Sequence, residues 1–215
     1  MATLLHLDSS ADLLTSRSRA LTAAFADAWA AADPTHSIVY RDLHVDPVPH
    51  LADASLHWTA ADRIPGANPP AEAEALQRRL LDQLLAADVL LIGAPLYNFS
   101  VPSTLKTWID HIHVPGVTSS LPELPLAGRP AVVVTSRGGA YDAGTPTADW
   151  DHEIPALRII LGDMLGMDVR FITTSVTLAE PLGGPAEDVE RSRSEFAAAL
   201  AAAGAAGAEL GSASA

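Results

Sequence analysis

The apolar residues of this chain follow two periods, and the alternation of these periods predicts strands and helices in turn. Five short, nearly continuous apolar runs are too short for helices and predict buried strands. The longer segments between them repeat apolar residues every three or four positions, which is typical of helices with one buried face. The predicted strands cover residues 4–7, 37–41, 89–94, 131–135 and 168–174.

Helices are predicted in each interval between the strands and after the last one. The first begins after Ser18, the second covers residues 71–86, the third begins at Pro102, and the fourth covers residues 157–165. The last covers residues 186–203, and the Ala-, Gly- and Ser-rich residues 205–215 are predicted to be a flexible tail. Residues 1–204 then form a single domain, as expected for this length.

Strictly alternating strands and helices predict a parallel sheet covered by helices on both faces. Five strands favour the flavodoxin-like three-layer sandwich, with strand order 2-1-3-4-5. The Gly-x-Gly-x-x-Gly fingerprint is absent after the first strand, which argues against the dinucleotide-binding Rossmann form. Residues 42–70 form an irregular segment of a length that often serves as a lid or an interface.

Composition narrows the classes of function. A net charge of −13, from 26 acidic and 13 basic residues, disfavours nucleic acid as a partner. No apolar run reaches the roughly 18 residues of a spanning helix, and the first residues do not resemble a signal peptide. We therefore expect a cytoplasmic protein that does not bind membranes. There is no Cys, which excludes disulfides and thiolate chemistry, and no metal site is predicted.

The first predicted strand is followed by a Ser-rich loop that leads into a helix. Free backbone N–H groups at a helix N-terminus favour an anion, and hydroxyl groups with one Arg add further donors. This pattern predicts a phosphate site, although a Ser-rich helix cap would have the same sequence. The candidate phosphate-binding residues are Ser10, Ser16, Arg17 and Ser18.

Two further loops follow the third and fourth predicted strands. The first of them carries two aromatic rings and an amide, in Leu96, Tyr97, Asn98 and Phe99. The other, Ser136, Arg137, Gly138 and Gly139, contains paired glycines that allow a close approach of backbone to a ligand. In this fold the three loops meet at one edge of the sheet. A phosphate site beside a surface for a flat heteroaromatic ring predicts FMN as the ligand.

These three loops resemble those of the FMN-dependent NADH-azoreductase and NADH:quinone oxidoreductase family. The segment 101–110, Val-Pro-Ser-Thr-Leu-Lys-Thr-Trp-Ile-Asp, is also similar to that family. The resemblance implies tightly bound FMN, with its phosphate held at Ser10 and residues 16–18 and its ring bordered by residues 96–99 and 136–139. It also implies a homodimer with the active site at the interface.

The resemblance further implies two-electron, ping-pong hydride transfer from NADH or NADPH to quinones, with reductive cleavage of azo compounds as a related activity. Ser119 and Ser120 stand where many members carry an aromatic residue, so the preferred acceptor and azo activity stay open. No catalytic side chain is assigned. A flavodoxin-type one-electron carrier is the main alternative. A receiver domain is disfavoured because the third strand ends in Ala94-Pro95-Leu96, without the required Asp.

Overall fold

The computed structural model describes residues 1–213 and contains one parallel sheet of five strands in the order β2-β1-β3-β4-β5. The predicted fold class and strand order are confirmed. Each strand extends beyond its predicted bounds by at most one residue at either end. The strands are β1 (Thr3–Asp8), β2 (Ser37–Asp42), β3 (Val89–Pro95), β4 (Pro130–Ser136) and β5 (Asp168–Thr174).

Helices cover both faces of the sheet. On one face α1 (Arg17–Ala32) and α5 (Ala186–Ala213) pack against alternate strand residues such as Val132 and Val134. On the other face α2 (Ala71–Ala86), α3 (Ser103–Ile112) and α4 (Glu153–Leu157) pack against the intervening residues. Because β3 and β4 are apolar on both faces, they occupy the centre, as parallel strands of this kind do.

The fourth predicted helix has an unexpected form. The α-helical hydrogen bonds end at Leu157, and a π-helical segment continues over Arg158–Met164. There the Leu165 backbone N–H donates to the Ile160 carbonyl at 3.1 Å, one residue further along the chain than in an α-helix. Gly166, with φ of 74°, ends the segment, directly after the predicted helix over residues 157–165.

The predicted tail after Gly204 is wrong for residues 205–213, because α5 continues to Ala213; residues 214 and 215 lie outside the described part. Close packing explains the difference. A Cβ on Gly207 would overlap the Phe25 carbonyl, and one on Gly211 would lie 2.7 Å from the Ala32 Cβ. These glycines therefore let α5 lie against α1. Among the described helices, α5 alone has the length and hydropathy to cross a membrane, and here it packs on α1.

Candidate cofactor site

A cavity of about 590 Å³ opens at the carboxyl edge of the sheet, where β1, β3 and β4 end. Its volume is typical of a small-molecule site. Each of the three loops singled out from the sequence contributes to its wall, so the structure brings them together. The predicted residues that line it are Ser10, Ser16, Arg17, Leu96, Tyr97, Ser136 and Gly138.

The N-terminus of α1 forms the polar end of this cavity. Ser16 is the N-cap residue, and its Oγ accepts a hydrogen bond from the Arg19 backbone N–H at 3.3 Å. The backbone N–H groups of Arg17 and Ser18 have no protein partner within residues 1–213. Arg17 also lines the cavity; its guanidinium donates to the Ser192 carbonyl at 2.8 Å, and burial lowers its pKa. Unpaired donors beside a partly desolvated cation favour an anionic ligand here.

Asp12 limits which donors of the first loop are free. Its Oδ1 accepts hydrogen bonds from the backbone N–H groups of Leu14 at 2.9 Å and Thr15 at 2.8 Å. The Thr15 hydroxyl, followed by these two N–H groups, lowers the pKa of Asp12, so the carboxylate is ionised at neutral pH. The N–H groups of Leu14 and Thr15 at the tip of the loop are therefore occupied, and the free donors at this end are those at the start of α1.

Tyr97 joins the first loop to the loop after β3. Its hydroxyl accepts a hydrogen bond from the Ala11 backbone N–H at 3.1 Å and lies 3.3 Å from the Ser10 Oγ. The ring is 36% exposed, so one part packs and the other faces the cavity. The aromatic loop is thus fixed to the Ser-rich loop by hydrogen bonds that its sequence did not indicate.

Asn98 and Phe99 form a tight turn in a left-handed conformation, with φ of 48° and 68°. The turn is closed by hydrogen bonds between Tyr97 and Ser100, N to O at 3.0 and 3.1 Å. Asn tolerates this conformation, whereas a residue such as Phe adopts it at a cost of about 1–2 kcal/mol. Backbone strain of this kind is concentrated at ligand sites. The His152 N–H donates to the Phe99 carbonyl at 3.0 Å and holds the turn.

In the loop after β4, Ser136 and Gly138 line the cavity, whereas the Arg137 side chain turns away from it. The Arg137 Nη1 lies 3.1 Å from the Asp151 Oδ2, and its Nη2 donates to the Ser175 Oγ at 2.8 Å. This ion pair holds the Arg137 side chain on the side of the loop away from the cavity.

Five of the predicted residues do not line the main cavity: Ser18, Asn98, Phe99, Arg137 and Gly139. Ser18 is fully buried, with its Oγ 3.1 Å from the Ser16 Oγ. Asn98 lines a neighbouring cavity of about 470 Å³, which shares Tyr97 with the first. The carbonyl of Gly139 accepts a hydrogen bond from Val176 at 3.1 Å. Their contacts with a cofactor stay predictions.

Sequence reasoning missed a fourth loop, which follows β5 and contributes Thr177, Leu178, Glu180 and Pro181 to the cavity. A Cβ on Gly138 would lie 2.8 Å from the Leu178 Cδ1, so a larger residue at that position would force the Leu178 side chain to shift. Residues 177–181 carry no local motif. Only their position after an edge strand of the predicted sheet could have indicated them.

Glu153, at the start of α4, is a second feature that the sequence did not indicate. Its side chain is fully buried, its Oε2 accepts a short hydrogen bond from the Thr135 hydroxyl, and its Oε1 has no partner among the residues that the structure describes. Burial raises the pKa of this carboxyl to about 8. Thr135 immediately precedes Ser136 of the cavity wall, so a neutral acid lies directly behind that wall at physiological pH.

The irregular segment between β2 and α2 forms one wall of a separate cavity of about 850 Å³. The other wall consists of Pro115, Gly116 and Ser120, which follow α3. Trp58 and Ile64 are 51% and 77% exposed there. Large apolar side chains left uncovered around a wide opening are typical of a surface that another molecule covers.

The fold of this chain matches that of a known protein family. The family model for the flavodoxin-like fold matches residues 2–203. Together with the strand order and a cavity at the carboxyl edge, this match defines a flavodoxin-like α/β protein.

Curated relatives narrow the class further. The chain is 63% identical over 203 residues to the FMN-dependent NADH:quinone oxidoreductase of Kineococcus radiotolerans, covering 94% of this chain and 97% of the relative. It belongs to the family of FMN-dependent NADH:quinone oxidoreductases, as the resemblance of its three loops predicted.

Solved structures support the fold. An azoreductase from Bacillus anthracis str. Sterne aligns with a TM-score of 0.79 at 22% identity, covering 97% of this chain and 100% of that one. An FMN-dependent NADH-azoreductase from B. anthracis str. Ames Ancestor, in complex with FMN, aligns with a TM-score of 0.75 at 20% identity, with 94% and 97% covered.

Proposed function

We propose that this protein is an FMN-dependent NADH:quinone oxidoreductase and that the 590 Å³ cavity is its cofactor site. One observation carries this assignment: the three loops by which the chain resembles the family line a single cavity. A relative with 63% identity over nearly the whole chain has the same named activity.

The residues of the cavity suit both ends of FMN. The unpaired N–H groups of Arg17 and Ser18, the Arg17 guanidinium and the hydroxyls of Ser10 and Ser16 would hold the phosphate. Leu96 and Tyr97 offer an apolar and aromatic surface for the ring. Ser136 and the backbone at Gly138 would contact the opposite side of the cofactor, because they line the facing wall.

Bound FMN would supply the hydride chemistry, taking two electrons from NADH and passing them to a quinone. The protein contributes binding, orientation and electrostatics. The strained turn at Asn98 and Phe99 fixes the aromatic loop, and donors on that loop would stabilise negative charge that develops on the ring. We propose a ping-pong order because NADH and the quinone would enter the same open cavity, so the quinone would bind after the oxidised NADH has left.

We also propose a homodimer with the active site at its interface. Trp58 and Ile64 at the outer cavity, and Phe99 and Trp150 beside the aromatic turn, are large exposed apolar side chains in the single chain. A second copy would cover them. Ser120 lines the outer cavity without an aromatic side chain, whereas Ser119 is buried, and azo compounds are proposed as secondary substrates. NADPH as an alternative donor and the cytoplasmic location stay predictions.

A one-electron carrier of the flavodoxin type is the competing function. The family membership does not favour it, and a carrier has no use for a second cavity of about 850 Å³. Potentiometric titration separates the two, because a carrier accumulates a stable one-electron reduced state and a two-electron reductase does not.

Titration of the flavin-free protein with FMN, followed by quenching of flavin fluorescence, tests the cofactor site. We expect saturable binding at one FMN per chain, weakened about tenfold or more by Ser10→Ala, which removes a phosphate donor. Ser212→Ala, on the exposed end of α5, is the matched control and should bind like the parent protein. Absence of FMN binding by the parent protein would contradict the proposed function.

Asn98→Ala tests the aromatic turn. We expect flavin reduction by NADH to slow about tenfold or more, because a donor beside the ring is lost. Ala also fits poorly at φ of 48°, so Asn98→Gly, which tolerates this φ, is the control for backbone strain. Stopped-flow absorbance measures the rate. An unchanged rate in both variants would remove Asn98 from the functional account.

A further inference from the structure

Arg19 lies in the first turn of α1 but does not line the cavity. Its side chain is only 15% exposed and points to the back of the Ser-rich loop. The Arg19 Nη2 donates a hydrogen bond to the Ser10 carbonyl at 2.7 Å. Ser10, whose hydroxyl belongs to the predicted phosphate site, is therefore held through its backbone carbonyl by the mostly buried guanidinium of Arg19.

Asp42, the last residue of β2, holds this cation in place. Its carboxylate accepts from Arg19 Nη1 at 2.6 Å and from Nη2 at 3.0 Å, a bidentate pair that fixes the plane of the guanidinium. Burial acts to raise the pKa of Asp42, but Arg19 and the backbone N–H groups of Val45 and His44 outweigh it and lower the pKa to about 2. The pair is thus ionised at every physiological pH.

The three partners come from three different elements: the loop after β1, the helix α1 and the end of β2. The clamp, defined as Arg19 and Asp42, therefore sets the position of Ser10 relative to the first N–H groups of α1. Those are the two groups of donors proposed to share the FMN phosphate. A Lys could supply the charge at position 19, but it lacks the planar fork that reaches both Asp42 and a carbonyl.

We propose that Arg19, oriented by Asp42, is a positioning residue for recognition of the flavin phosphate, acting through Ser10 without touching the ligand. This inference rests on the proposed function, because it assumes that FMN occupies the 590 Å³ cavity with its phosphate at the start of α1.

The clamp should matter for FMN and not for riboflavin, which has the same ring and no phosphate. Flavin-free protein is titrated with each flavin, and fluorescence quenching gives the two dissociation constants. Arg19→Lys should weaken FMN binding roughly ten- to hundredfold and change riboflavin binding by less than about twofold. Asp42→Asn keeps the shape of the side chain and loses the charge that orients Arg19. It should likewise weaken FMN binding and leave riboflavin binding nearly unchanged.

Arg170→Lys is the matched control. Arg170 also forms a bidentate pair, with Glu209 at 2.9 and 3.1 Å, but that pair is exposed on β5 and α5, away from the cavity. The FMN affinity of the Arg170→Lys variant should equal that of the parent protein. Thermal unfolding of each flavin-free variant shows whether it is folded. If Arg19→Lys does not fold, the dissociation constants of FMN and riboflavin for Asp42→Asn test the proposal.

Two results overturn the inference while leaving the function intact: unchanged FMN affinity in both clamp variants, or equal loss of FMN and riboflavin, which indicates general damage to the loop. A different result concerns the cofactor site itself. If the parent protein binds riboflavin as tightly as FMN, the phosphate contributes nothing, and the proposed phosphate site fails together with the clamp.

Discussion

Two carboxyl groups, one partly buried and one fully buried, lie behind the candidate cofactor site and differ in their partners. Asp42 accepts from both Nη atoms of Arg19, and its pKa is about 2. Within residues 1–213 Glu153 accepts a hydrogen bond from Thr135, its Oε1 has no partner, and its pKa is about 8. Burial acts to raise the pKa of both groups, and at Asp42 it is outweighed by Arg19 and two backbone N–H groups.

This difference matters for an anionic cofactor. Arg19 pairs with Asp42 and also lies 3.7 Å from the Asp8 carboxylate, so the cation behind the first loop faces two carboxylates. Within residues 1–213 no cation forms an ion pair with Glu153, and this group avoids a negative charge by keeping its proton. Asp42 and Glu153 therefore differ in protonation state at neutral pH, and they should respond to pH in opposite directions.

The largest expected effect belongs to Glu153→Gln. The folded pKa of Glu153 is raised above 4.5, so ionisation favours the unfolded chain, and the parent protein should lose stability relative to the variant as pH rises from about 4.5 to about 8. The difference should be on the order of 3–5 kcal/mol at pH 8 and close to zero at pH 4.5. Urea unfolding of both proteins across this range measures it. A constant difference would show that Glu153 does not titrate with folding.

Asp42→Ala should have the next largest effect, and the opposite dependence on pH. Loss of the carboxylate leaves the mostly buried Arg19 facing the more distant Asp8 carboxylate, 3.7 Å away, at a cost of roughly 2–3 kcal/mol at pH 7. The folded pKa of Asp42 is lowered, so its contribution exists above pH 4 and is lost as pH falls towards 2. Unfolding curves at pH 7 and pH 3 test this, with Asp168→Ala as a control at an exposed strand end. A cost that did not shrink in acid would contradict the ion-pair account.

Thr135→Val should have the smallest effect, because the Thr135 hydroxyl donates one hydrogen bond to Glu153. We expect a cost of about 1 kcal/mol at pH 5 and a larger one above pH 8, where Glu153 becomes an ionised acceptor. In the Glu153→Gln background the cost should no longer depend on pH, which a double-mutant cycle measures. If Thr135→Val lowered the free energy of unfolding equally at both pH values in the parent background, the Thr135 hydroxyl would not respond to ionisation of Glu153.

The sequence predicted the sheet well because its central strands are buried on both faces and therefore apolar throughout, as in residues 131–135. It failed at the C-terminus, where Gly207 and Gly211 suggested a tail. Glycine is required there for contact between α5 and α1, and such contact cannot be inferred from local composition.

The candidate site shows what local sequence can and cannot indicate. Ser10, Tyr97 and Gly138 line one cavity, and the sequence could indicate this because each follows a predicted strand. The contact of the Arg137 side chain with Asp151, fourteen residues later, could not be inferred from its own loop. The Arg19–Asp42 clamp spans twenty-three residues and joins two elements, so no local pattern reveals it.

Anaerobic stopped-flow absorbance of the FMN-loaded protein tests the central claim most directly. NADH mixed with the protein should bleach the flavin absorbance in a single phase, and a second mixing with a benzoquinone should restore it without further NADH. That sequence is the two-step transfer expected of an FMN-dependent NADH:quinone oxidoreductase. Flavin that stays oxidised with NADH, or that stays bleached after the quinone is added, would contradict the account.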